Sequence, residues 1–101
     1  MCEEKMKRLK PIISACGEKA QMIVAIEETS ELGKALCKYL RAEGEGQKFD
    51  AIKSVTEEMA DVQIMLDQLL IIFNNEEEMK KIIANKIERT YKRLGIEEGQ
   101  K

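Results

Sequence analysis

Apolar residues recur along this chain at steps of three and four, the period of one face of an α-helix, and nowhere show the two-residue alternation of a strand. Met6, Leu9, Ile12, Ile13 and Cys16 predict an amphipathic lead-in over residues 1–16. Pro11 is expected to bend or restart it, because an interior proline loses a hydrogen bond and clashes with the preceding turn. Gly17 marks a break, and a long helix is predicted from Glu18 to Ala42 on Met22, Ala25, Ile26, Leu32, Leu36 and Leu40. Gly44-Glu45-Gly46-Gln47 reads as a loop, since two glycines permit positive φ and lower helix propensity. A third helix is predicted from about Asp50, a good N-cap, to Phe73. Its Ile52, Val55, Met59, Val62, Leu66, Leu69 and Phe73 form a heptad-like seam. Ile64, Met65, Ile71 and Ile72 widen the apolar surface until its second half is apolar nearly all round, as in a helix buried centrally or at a subunit interface. Asn74-Asn75 ends it, and a fourth helix is predicted over 76–93, stopping before Gly95, with Ile82, Ile83, Ile87, Tyr91 and Leu94 as its apolar face. The expectation is one all-α domain over 1–101, an antiparallel four-helix bundle. A bundle this small is expected to oligomerise, as a homodimer or homotetramer, to cover the third helix.

Composition narrows the chemistry. The 101 residues include no His, which removes Ser-His-Asp and Cys-His catalysis and His-ligated zinc. Three cysteines (Cys2, Cys16 and Cys37) contain no C-x-x-C pair, against a disulfide scaffold or structural zinc. A net charge of −2, and rings only at Tyr39, Phe49, Phe73 and Tyr91, speak against nucleic-acid binding. The longest apolar run, Leu69–Phe73, is too short to span a bilayer, so no membrane partner is expected. Met-Cys-Glu-Glu-Lys at the start has no signal-peptide character, so a reducing cytoplasmic setting is expected.

Two segments carry the informative chemistry, Glu27-Glu28-Thr29-Ser30-Glu31 and Glu57-Glu58-Met59-Ala60-Asp61. Glu28/Glu31 and Glu58/Asp61 are spaced i,i+3, and so share a helix face. Glu27/Glu31 and Glu57/Asp61 offer i,i+4 alternatives. Glu31 lies roughly 20 Å before the predicted loop, and Glu58 roughly 15–18 Å beyond it. An antiparallel hairpin therefore brings both pairs to nearly one level. Four carboxylates converging at the margin of an apolar core repel unless a cation joins them. Oxygen-only ligands suit Mg²⁺, with Mn²⁺ as a substitute. The fourth helix supplies the opposite charge: Lys86, Arg89 and Arg93 lie at i, i+3 and i+7, one stripe fit for phosphates.

Glu28-x-x-Glu31, then Glu58-x-x-Asp61 on the next helix, then Lys86-x-x-Arg89, resembles the signature of the MazG-like all-α nucleoside triphosphate pyrophosphohydrolases. The resemblance covers roughly residues 17–93, including the Gly17…Gln21 lead-in. It implies that fold, and Mg²⁺-dependent cleavage of a nucleoside triphosphate between its α- and β-phosphates to the monophosphate and pyrophosphate. Glu28, Glu31, Glu58 and Asp61 then hold metal, Glu27 or Glu28 accepts the proton of the attacking water, and Lys86 and Arg89 contact phosphates, assisted by Lys34 and Arg93. Ala84 stands where larger members have an Asn two positions before the Lys, with Asn85 adjacent as the candidate ligand for the base. Gln21, one to two turns ahead of Glu28, is placed to reach the nucleoside.

Blander explanations exist for the same residues. Paired carboxylates occur on solvated Glu-rich helices, and basic residues near a helix C-terminus are favoured by its dipole. The alternative functions are a catalytically silent nucleotide- or metal-binding module and a helical oligomerisation module. Asp67, amid apolar neighbours, is expected to face solvent or to pair with a basic residue of another subunit.

Overall fold

A computed structural model describes residues 1–97. Among them there are four helices and no strand: α1 (Glu3–Cys16), α2 (Glu18–Arg41), α3 (Gly44–Phe73) and α4 (Glu76–Leu94). None is long and apolar enough to cross a membrane. Two boundaries differ from the sequence expectation. α3 begins at Gly44, so the expected Gly44–Gln47 loop is helical. Gln47 Oε1 accepts the Glu43 N–H at 2.9 Å, one position later than a standard capping box, and so closes the first turn despite the glycines. Pro11 lies inside an unbroken α1. Its ring is exposed, so the missing hydrogen bond costs the helix no buried contact.

The core is built by α1, α2 and α3, with the antiparallel α2–α3 hairpin as its main contact. Leu9 and Ile13 of α1 are buried, as are Ala25 and Ala35 of α2 and Ala51 and Met65 of α3. Two polar links tie the helices together, one buried and one partly so. Gln21 Nε2 donates to Gln68 Oε1 at 2.7 Å, with Gln68 only 2% exposed. Lys5 Nζ donates to the buried Asp67 carboxylate at 2.8 Å, whose other oxygen accepts from Gln63 at 3.1 Å. Asp67 therefore neither faces solvent nor awaits another subunit; it anchors α1 within its own chain.

α4 does not complete a four-helix bundle within the chain. Asn74 takes the left-handed conformation (φ 50°) at the end of α3, and α4 leaves with no buried residue of its own. Its first residue, Glu76, pairs with the Met1 amino group. The radius of gyration is accordingly 17.1 Å, against about 13 Å for a compact chain of 100 residues.

Candidate metal centre

The hairpin brings the two carboxylate segments together as residue counting predicted. Glu28 of α2 and Glu58 and Asp61 of α3 each offer an oxygen, and these atoms lie within 4.8 Å of one another. Glu28 and Glu58 are half-buried and Asp61 is exposed, so the group lies at the edge of the helix interface with one side open to solvent. Crowding raises the proton affinity of Glu28: burial contributes most, followed by the charges of Asp61 and Glu58, contact with the Asp61 carboxyl, and the charge of Glu31. Glu58 Oε2 is buried and has no hydrogen-bond partner. A buried acceptor left unpaired is costly, and a cation is one group that satisfies it without another protein donor.

The donor set fits a hard divalent ion. Oxygens on opposite sides of Mg²⁺ stand about 4.2 Å apart, twice its ligand distance. Three oxygens on one face of the ion stand only about 3 Å from one another, so atoms now within 4.8 Å would have to draw in further around it. The open side leaves room for water or phosphate oxygens, which Mg²⁺ normally retains.

The other expected site residues fall elsewhere. Glu31 lies outside the three-carboxylate group; it is exposed, and its Oε1 accepts from Lys34 Nζ at 3.3 Å, so both side chains are engaged along α2. Glu27 is exposed beside the group. Gln21 is buried and bonded to Gln68, which makes it a core residue rather than a nucleoside contact. Asn85, Lys86, Arg89 and Arg93 lie on α4. The open surfaces they line are formed by α4 and the α3–α4 corner, and none includes Glu28, Glu58 or Asp61. The basic stripe is thus not brought to the carboxylates within one chain. Sequence reasoning missed Gln68, Gln63 and Lys5 as polar partners; the position of Gln68 seven residues after Asp61, on the inward face of α3, was the available signal.

Comparison with protein-family models, with curated proteins and with solved structures finds no match to the chain.

Proposed function

We propose that the protein is a Mg²⁺-dependent nucleoside triphosphate pyrophosphohydrolase of the MazG-like type, cleaving a (d)NTP to the (d)NMP and pyrophosphate. The observation that carries this reading is the meeting of Glu28, Glu58 and Asp61 across the α2–α3 hairpin, with one buried Glu58 oxygen unpaired. Glu28, Glu58 and Asp61 would hold the ion, with Glu31 one turn away as a further ligand after a rotamer change that frees it from Lys34. Mn²⁺ would substitute. A bound divalent ion supplies charge stabilisation at the phosphoryl oxygens and acidity to the attacking water. Glu27, adjacent and exposed, or Glu28 where it is not engaged as a ligand, would accept that water's proton. Lys86 and Arg89, with Arg93, neutralise the departing phosphates once α4 and the carboxylates share a substrate.

A second reading, a silent nucleotide- or metal-binding module, is favoured by one observation: α4 stands apart from the carboxylates. One experiment separates the two. Wild type and Glu58→Gln are assayed for pyrophosphate release from the common (d)NTPs, with Mg²⁺ and with EDTA. The enzyme reading expects Mg²⁺-dependent release by wild type and its loss in Glu58→Gln. No release from any of them rejects it, and Mg²⁺-linked nucleotide binding without product selects the silent module.

A further inference from the structure

One side of the α2–α3 hairpin sorts its charge along its length. On α2, Glu27 and Glu31 come first and Lys34, Lys38 and Arg41 follow. Glu27, Lys34 and Arg41 are spaced by seven, as are Glu31 and Lys38, so all five share one side of the helix. On α3 the same spacing links Asp61, Ser54 and Gln47. Two helical turns, about 10 Å, therefore separate carboxylates from cations. Where the cations lie, the hairpin opens into a cavity of about 520 Å³, a size that holds a small ligand. Ala42 and Ala51 are its least exposed lining residues, and side chains this short leave the space between the helices unfilled. Ser54 on the cavity wall stands one turn, about 6 Å along α3, from Glu58.

Lys38, Arg41, Gln47 and Ser54 all line this cavity with donors to spare. Among the described residues neither Lys38 nor Arg41 pairs with a carboxylate, whereas Lys34, Lys80 and Lys92 each pair within their own helix. Gln47 Oε1 accepts the Glu43 N–H, which holds the side chain and leaves its Nε2 to donate elsewhere. Thr29, Ser30, Thr56 and Thr90 turn their hydroxyls back onto carbonyls of the preceding turn. Ser54, one turn from Glu58, makes no such bond. Four donor groups, two of them charged, thus border one open space without a protein acceptor. Asp50, also on the wall, pairs with neither cation.

We propose that this cavity binds the β- and γ-phosphates of the nucleoside triphosphate, the part released as pyrophosphate, with Lys38 and Arg41 as its charged contacts. This assignment rests on the proposed activity and deepens it. It places the phosphate end of the substrate on the same chain, and the same side of the hairpin, as Glu28, Glu58 and Asp61. The Arg41 guanidinium matches phosphate oxygens two at a time and the Lys38 ammonium adds a point charge. The Gln47 amide and the Ser54 hydroxyl supply neutral hydrogen bonds. A nucleoside suits the cavity poorly, because ligand pockets for rings are lined mainly by apolar and aromatic side chains. Here the only apolar side chains on the wall are the methyls of Ala42 and Ala51. Asp50 opposes an anion beside it and so limits how tightly the released product is held.

The test is isothermal titration of the full chain with inorganic pyrophosphate in metal-free buffer of low ionic strength. It reads the cavity without metal and without turnover, so this assignment and the proposed activity fail separately. Wild type is expected to bind pyrophosphate, and to bind it more tightly than any nucleoside monophosphate. Lys38→Met combined with Arg41→Met is expected to weaken binding by about tenfold or more while retaining helical circular dichroism. Asp50→Asn, which keeps both cations, is expected to tighten it. Absence of binding at millimolar pyrophosphate overturns the proposal, as does a monophosphate that binds equally well. Weaker binding by Asp50→Asn overturns it too. So does an equal loss in Lys7→Met with Arg8→Met on α1, which removes the same charge far from the cavity.

Discussion

Glu58→Gln separates a metal centre from a solvated acidic patch through stability alone. Without metal, the wild-type chain holds three carboxylates together and leaves Glu58 Oε2 buried and unpaired. An unsatisfied buried polar atom costs about 1–3 kcal/mol. Glutamine has nearly the same shape, removes one negative charge and offers an N–H to Glu28 or Asp61. The variant should therefore gain at least about 1 kcal/mol in EDTA, which for a domain of this size raises Tm by about 4–8 °C. Mg²⁺ should reverse the ranking. At a hundred times its dissociation constant an ion stabilises the folded wild type by about 2.7 kcal/mol, or about 11–22 °C, which exceeds a variant gain of about 1–2 kcal/mol, while the variant responds little. pH supplies an internal check. Glu28 binds its proton more tightly folded than unfolded, so its contribution is stabilising at low pH and is lost as pH rises through its raised pKa. In EDTA the wild type should therefore lose stability as Glu28 ionises, and Glu58→Gln should lose less, because one repelling charge is gone. Thermal melts in EDTA and in Mg²⁺ at fixed protein concentration measure all of this. A Glu58→Gln variant that melts below wild type in EDTA, or that responds to Mg²⁺ as wild type does, refutes the reasoning.

Three further outcomes follow from residues outside the cluster. Gln21→Ala strands the Gln68 amide in the core and should cost about 1–3 kcal/mol in urea unfolding; Gln21→Leu combined with Gln68→Met should recover most of that loss. Lys34→Ala should change stability by less than about 1 kcal/mol, as for an exposed ion pair, and Glu31→Gln should retain most of the Mg²⁺-induced rise in Tm if Glu28, Glu58 and Asp61 hold the ion. Asp67 raises the proton affinity of Lys5, chiefly through their hydrogen bond. The stability from that pair is present below the ordinary lysine value of 10.5 and lost as pH rises through the higher folded value, so Lys5→Met should lower Tm at neutral pH and flatten the alkaline part of the profile.

Periodicity carried most of the fold. Helix identity, the order of elements and the breaks at Gly17, Asn74 and Gly95 were all legible, because each is a local property of spacing or backbone freedom. The level meeting of Glu28 with Glu58 and Asp61 was legible too, since it needs only a hairpin and a rise per residue. Polar residues on inward faces were harder to read. Gln21 looked like a ligand because its partner, Gln68, lies 47 positions away, and Asp67 looked unpaired because Lys5 lies on a helix whose docking no local pattern reports. The departure of α4 was not legible either: the same amphipathic pattern suits a helix packed on its own hairpin and one that leaves it. A single left-handed residue, Asn74, accompanies the difference.

The lack of any buried residue in α4 also has a dynamic consequence. A helix with no buried side chain lacks the tertiary packing from which most helical stability in proteins comes, so its amides should exchange with solvent through local fraying. Those around Met65 and Gln68 should exchange only when the hairpin opens as a unit. One polypeptide then contains two clocks: a slow one set by the core, and a fast one at α4 that slows only when something settles on its apolar face.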